Sequence, residues 1–227
     1  MKSEEAIIAE LKPHVDAGVV QRGDVDRWLI LTRRVRECNK CGLGVLCTKK
    51  VFGEGFMKAP CLVVGEAPGA NEDLSGRPFV GRSGQLLRKL MKEAGFRKGD
   101  VFITNVLRCR PPKNRAPTGE EAGHCFMHLY AQLDIINPKV IVAVGSVALS
   151  NLYNMKPKKA LGSCRGDVLN SFGYKLVPVW HPSYVQRTHQ ILREKELLKD
   201  LKKVIKIVYP DGREGDVPEE DFDETDG

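Results

Sequence analysis

The chain has 227 residues, 42% of them hydrophobic, which suits one core with tails. Its net charge of +7 is uneven: residues 214–227 hold eight acids and no Lys or Arg, so removing those eight negative charges leaves the rest at +15. No run of about 18 apolar residues exists to span a membrane, and Met1-Lys2-Ser3-Glu4-Glu5 lacks the apolar centre of a secretory signal. A cytoplasmic protein with no membrane partner is expected, and so basic a body has an electrostatic reason to meet a polyanion such as nucleic acid.

Residues 4–36 read as two helical pieces: Ile7, Ile8 and Leu11, then Trp28, Leu29, Leu31 and Val35, broken near Gly18 to Gly23. They define an N-terminal helical segment, 1–36. Arg33, Arg34 and Arg36 then precede Cys38-Asn39-Lys40-Cys41, a C-x2-C pair whose thiolates can share one metal centre. There are seven cysteines: Cys38, Cys41, Cys47, Cys61, Cys109, Cys125 and Cys164. An odd number in an intracellular chain argues against a disulfide framework. The pair needs two more ligands. Cys61 opens an apolar run and reads as core, whereas Cys109 after a strand and Cys125 within a helix could both return to the pair.

Four apolar runs follow: Cys61–Val64, Val101–Ile103, Val140–Val144 and Leu176–Trp180, with helices expected at about 83–95, 118–135 and 145–154 between them. Strands alternating with helices imply βαβ units. The expected fold is α/β, a three-layer αβα domain over 37–207 with a central, mainly parallel four-stranded sheet. The runs end in Gly65-Glu66-Ala67-Pro68-Gly69, Thr104-Asn105, Gly145-Ser146 and His181-Pro182-Ser183. Four small or polar endings at one sheet edge suggest a pocket assembled from four loops. A lysine-rich helix at about 190–207 closes the domain, and 208–227 is an acidic tail too polar to pack. No internal repeat is present.

Each candidate residue also has a plainer reading. Glu66 could be a general base or could stabilise a cation, yet a turn carboxylate more often accepts from backbone donors. Asn105 complements an imide edge, or satisfies its own loop. His181 before Pro182 could donate to a developing anion, or be a satisfied structural histidine. Phe79, in Gly76-Arg77-Pro78-Phe79-Val80-Gly81, is a stacking platform or core. Gly145-Ser146 is a weak anion-binding signal at a helix start. Walker A and G-x-G-x-x-G patterns are missing, which disfavours nucleotide hydrolysis and dinucleotide redox chemistry, and no zinc-deaminase signature occurs.

Several motifs, in order and spacing, resemble the family 4, iron–sulfur type of the uracil-DNA glycosylase superfamily over roughly residues 35–205. They are Cys38-x2-Cys41, Val51-Phe52-Gly53-Glu54-Gly55, Gly65-Glu66-Ala67-Pro68-Gly69 with Glu72-Asp73, Gly76 to Gly81, Asn105-Val106-Leu107-Arg108-Cys109-Arg110-Pro111-Pro112 and His181-Pro182-Ser183. The resemblance implies a [4Fe–4S] cluster on Cys38, Cys41, Cys109 and Cys125, structural rather than redox, although spacing by itself leaves zinc open. It implies that uracil is flipped from DNA and its N-glycosidic bond hydrolysed. Phe79 would stack on the base, Asn105 read its imide edge, His181 bond the uracil O2, and Glu66 position water or stabilise the sugar cation. The backbone around Ala67 and Gly69 would add base contacts, Glu72 would help exclude a C5 methyl, and Ser183 and Arg187 would meet the DNA backbone.

The expected partner is uracil-containing DNA, single- and double-stranded, met by a monomer in the cytoplasm around the nucleoid. The acidic tail could recruit a repair or replication protein. At Tyr184-Val185-Gln186-Arg187 the chain departs from relatives that carry a leucine wedge. Two other readings stand beside this one: a glycosylase of the same fold for another deaminated or modified base, and a non-catalytic iron–sulfur DNA-binding subunit.

Overall fold

A computed structural model describes residues 1–153 and 161–212. The acidic run 213–227 lies outside the described residues, so the expectations attached to the tail do too. The chain opens with helices α1 (Glu4–Asp16) and α2 (Arg22–Arg36), a 3-10 turn at Gly42–Val45, and the two-residue strand β1 (Glu54–Gly55). Then come β2 (Cys61–Gly65), α3 (Ala70–Ser75), α4 (Arg82–Glu93), β3 (Val101–Asn105), α5 (Gly119–Ile136) and β4 (Val140–Val144). The order ends with α6 (Ser146–Leu152), α7 (Leu161–Cys164), β5 (Leu169–Ser171), β6 (Tyr174–Val179), α8 (Pro182–Arg187) and α9 (Gln190–Val208). No helix among the described residues is long and apolar enough to cross a membrane.

The four expected strands form the parallel centre of the sheet, in the order β3-β2-β4-β6. The sheet is larger than expected: β1 adds antiparallel to β3 and β5 adds antiparallel to β6, making six strands. Edge strands of two and three residues are too short for an alternating pattern to register. β5 and β6 are joined by Phe172 and Gly173, both at positive φ (51° and 83°), the requirement of a two-residue hairpin turn.

Residues of β2, β3 and β4 are buried on both faces, which is why they read as unbroken apolar runs. Leu62, Val64, Phe102, Ile141 and Leu176 face a core completed by α1, α2, α5 and α6. Cys61, Val63, Val101, Ile103, Val142 and Val177 face a second core made by α4, α8 and α9. These two cores are the outer interfaces of the three-layer arrangement. α2 docks by an edge-on aromatic trio: the Trp28 ring centroid is 5.0 Å from Phe52 and 5.2 Å from Phe102. On the opposite face α4 buries Leu86, Leu87, Leu90 and Met91, each worth about 1.5–3 kcal/mol of transfer free energy.

After the edge strand β1, the chain enters the parallel centre at β2, moves to β3, and then crosses back to β4 on the other side of β2. The reversal makes the carboxyl ends of β2 and β4 a topological switch point, the place where open α/β sheets bind their ligands. All four of the noted loops start at that edge.

Candidate active site at the strand ends

Two side chains meet at the end of β2. A Cβ built on Gly65 would collide with both Phe79 Cζ and Asn105 Oδ1, so only glycine lets the Phe79 ring and the Asn105 amide approach there. Beyond the strands the pairing continues: Val106 N–H donates to the Gly65 carbonyl at 2.8 Å and Leu107 N–H to that of Glu66 at 3.0 Å. This zipper fixes Glu66 and Asn105 side by side. Asn105 is 3% exposed, and no hydrogen bond engages its side-chain amide among the described residues. The amide keeps a donor and an acceptor for a ligand.

Phe79 is buried and has φ 53°, a left-handed conformation that costs a non-glycine residue about 1 kcal/mol. The surroundings enforce it. Arg88 of α4 donates to the Phe79 carbonyl at 3.0 Å and to that of Pro78 at 2.8 Å, and pairs with Glu54. Gly84 has no side chain where the Phe79 backbone passes. Glu72 completes the clamp: its Oε1 accepts from Val80 N–H at 2.8 Å and Gly81 N–H at 2.7 Å, and its Oε2 from Gly69 N–H at 3.0 Å.

The two loop carboxylates therefore differ. Glu72 is held by three backbone donors, the fate that a turn carboxylate such as Glu66 invited. Glu66 accepts no hydrogen bond among the described residues, and partial burial pushes its pKa above the ordinary 4.5.

His181 follows β6, with its ring centroid 6.5 Å from that of Phe79. Its Cβ packs against Gly145 at the end of β4, where an added Cβ would sit 3.0 Å away. Ser183 N–H reaches Nδ1 at 3.2 Å and the Ser183 hydroxyl lies 2.8 Å from it. A backbone N–H can only donate, so Nδ1 accepts and Nε2 carries the proton. Burial first, then the nearby Arg187 charge, lower the His181 pKa to about 4. The ring is thus a neutral Nε2–H donor at neutral pH.

Of the other expected site residues, Arg187 is exposed and Ser183 spends its hydroxyl on His181. The Gly69 N–H is taken by Glu72, and Ala67 packs toward Leu43, Leu107 and Cys109. Val185 is fully buried in the core beside α9.

Cys38, Cys41, Cys109 and Cys125 line one cavity, together with Arg108, His124, His128, Lys40 and Lys50. Three segments supply the thiols: the turn after α2, the loop after β3, and α5. Gly44 allows the first to fold tightly, since a Cβ there would meet the Cys38 carbonyl at 2.6 Å. Asp73 of α3 ties the same segment to the strand-end loops by accepting from Thr48 N–H at 2.9 Å. Among the described residues no three His, Cys, Asp or Glu side chains converge on a point fit for a single metal ion. A single zinc needs its thiolates about 2.3 Å from one centre. Four thiols on one cavity are a donor set that fits a thiolate-held group. Among the described residues Arg108 Nε and His128 Nε2 are buried without hydrogen-bond partners, and the Arg108 cation lines the same cavity as the four thiols. An anionic, thiolate-held group would answer both.

The sequence offered no way to single out three participants. Cys47 lies within hydrogen-bonding reach of Cys109, Arg108 is 2% exposed, and Gly65 is the floor on which ring and amide meet. Only the tertiary contacts mark them.

Fold and site define an α/β protein with an aromatic ring and an amide set side by side at the carboxyl edge of its parallel sheet. The model of the Uracil DNA glycosylase superfamily matches residues 52–204. Curated relatives named type-4 uracil-DNA glycosylase extend the likeness. That of Thermotoga maritima is 43% identical over 184 residues, covering 81% of this chain and 95% of the relative. That of Pyrobaculum aerophilum is 41% identical, covering 67% and 81%, and that of Archaeoglobus fulgidus 40% identical, covering 77% and 89%. The chain belongs to the uracil-DNA glycosylase superfamily.

Proposed function

We propose that the protein is a monofunctional glycosylase that removes uracil from single- and double-stranded DNA and leaves an abasic site. The observation that carries the reading is the Asn105 amide, unengaged among the described residues and set beside the Phe79 ring, with a neutral His181 Nε2–H nearby and Glu66, unbonded among the same residues, on the adjoining loop. Uracil flipped from the stack would lie against Phe79 and pair its imide edge with Asn105, which cytosine's amino group cannot match. As the bond from C1′ to N1 breaks, charge develops on the uracil oxygens, and His181 Nε2–H meets it at O2. Glu66, ionised, faces the positive sugar and takes the proton of the water that adds to C1′. The basic body draws the duplex in.

Cys38, Cys41, Cys109 and Cys125 would hold a [4Fe–4S] cluster, whose contribution is to cross-link the segment after α2 and the Cys109–Cys125 loop against the sheet. Ser183 and Arg187 would follow the DNA backbone beside the pocket, and Glu72 would shape it by holding Gly69 and Val80.

Oligonucleotides bearing uracil, hypoxanthine, xanthine or a thymine mispair, incubated with the protein and cut with hot alkali, test the reading. Uracil strands should be cleaved, with an acid limb of kcat/KM above pH 4.5 that disappears in Glu66→Gln. Intact uracil strands beside cleavage of another base would move the substrate; no cleavage by iron-loaded protein would favour a binding subunit.

A further inference from the structure

Arg108 is an unusual residue to find where it lies. It is fully buried, one position before Cys109, and makes no ion pair with any carboxylate among the described residues. Its Nη2 donates to Gln132 Oε1 at 2.6 Å, and its Nη1 to Thr104 Oγ1 at 2.8 Å and to the Asn105 carbonyl. Gln132 and Thr104 are neutral and are themselves tied to the Phe52 carbonyl, at 2.9 Å and 3.1 Å. They satisfy donors without balancing charge. The guanidinium Nε has no hydrogen-bond partner among the described residues, and Arg108 lines the cavity of the four cysteines, its own backbone N–H donating to Cys125 Sγ at 3.3 Å. A buried cation without a counter-charge is costly. Four thiolates leave an iron–sulfur cubane net negative, and such a cluster's potential responds to nearby charge and to donors on its sulfurs.

We propose that Arg108 is the buried counter-charge of the cysteine-held cluster and, through the same guanidinium, the positioning residue that ties the cluster to Asn105. This rests on the cluster reading above. One face of the side chain neutralises the cluster; the other holds the end of β3, where the base-reading amide begins. The cluster thereby supports base recognition without reaching the base. A positive charge here favours the more reduced, more negative cluster, so its removal makes reduction harder.

The test uses the full chain, purified without oxygen, as wild type, Arg108→Met, Arg108→Lys and Gln132→Glu. Iron and sulfide content, bleaching near 400 nm under a chelator, and the midpoint potential are measured, the band being placed at about that wavelength by thiolate-ligated iron. Arg108→Met should lose its colour about tenfold faster and be reduced only at a more negative potential. Arg108→Lys should restore the potential but not uracil excision, because an ammonium cannot span Thr104, Gln132 and the Asn105 carbonyl at once. Gln132→Glu places a carboxylate on the guanidinium with Arg108 intact, so it should lower the potential even if Arg108→Met fails to fold. Wild-type protein that takes up no iron would sink the cluster reading and this proposal together. Iron-loaded Arg108→Met or Gln132→Glu with wild-type potential and retention would overturn the role of Arg108 alone.

Discussion

The pocket at the strand ends and the cysteine cavity are joined by the loop after β3, yet they are built in opposite ways. The pocket holds groups with hydrogen-bonding capacity to spare: among the described residues Glu66 and the Asn105 amide are unbonded, and His181 keeps Nε2–H free. Glu66, Asn105 and His181 sit within a residue or two of strand ends, and Phe79, strained and brought in from the loop between α3 and α4, is clamped by Arg88 and Glu72. The cavity draws thiols from three remote segments around a buried cation and two partnerless nitrogens. A preorganised pocket can wait empty for a transient ligand. A cavity that buries a lone charge fits a permanent occupant.

Three substitutions would sharpen or break this contrast. The largest effect is expected from Gly65→Ala, whose methyl must displace the Phe79 ring or the Asn105 amide. Uracil excision in single-turnover assays should fall about 100-fold, the usual cost of a displacement near 1 Å. Iron content should stay unchanged, because the cavity draws nothing from Gly65. Loss of iron in that variant would mean that pocket and cavity are one unit.

Next comes the acid response of His181. Its folded pKa of about 4 lies below the ordinary 6.5, so the unfolded chain takes up a proton there while the native ring does not. Stability is therefore lost as pH falls from 6.5 toward 4, by at most about 3 kcal/mol. Urea titrations across that range should show His181→Asn with a flatter profile than wild type. An identical slope would place the acid sensitivity elsewhere.

Glu72→Gln should have the smallest effect. An amide must turn an N–H toward Gly69 or toward Val80 and Gly81, and one unmatched donor pair costs about 1–3 kcal/mol. Thermal melts should register that loss, and excision should drop about tenfold as Phe79 loosens. If melting is unchanged and the variant instead attacks thymine, Glu72 screens the C5 position directly rather than through the loops.

Much of the strand-end edge is legible in the sequence. Strands buried on both faces must be apolar along their length, and they must stop at residues that turn the chain. The endings at Glu66, Asn105, Gly145 and His181 therefore marked one sheet edge. The short strands β1 and β5 left no such trace, because two or three residues cannot display a period. Glu66 and Glu72 show the same limit in miniature. Both are carboxylates in one glycine-framed loop, and composition cannot say which one the backbone will capture.

By itself the sequence determined the alternating α/β order, the parallel centre of the sheet, the basic body and the C-x2-C pair, since each follows from local pattern, charge or spacing. Tertiary structure decided which groups stay free and which are spent. It left the Asn105 amide and the Nε2–H of His181 open, consumed Glu72 in a clamp, withdrew Val185 into the core, and enclosed Arg108 among thiols. The physical reason is that a hydrogen bond or a counter-charge depends on what lies within about 3 Å in space, and residues far apart along the chain reach that distance only after folding.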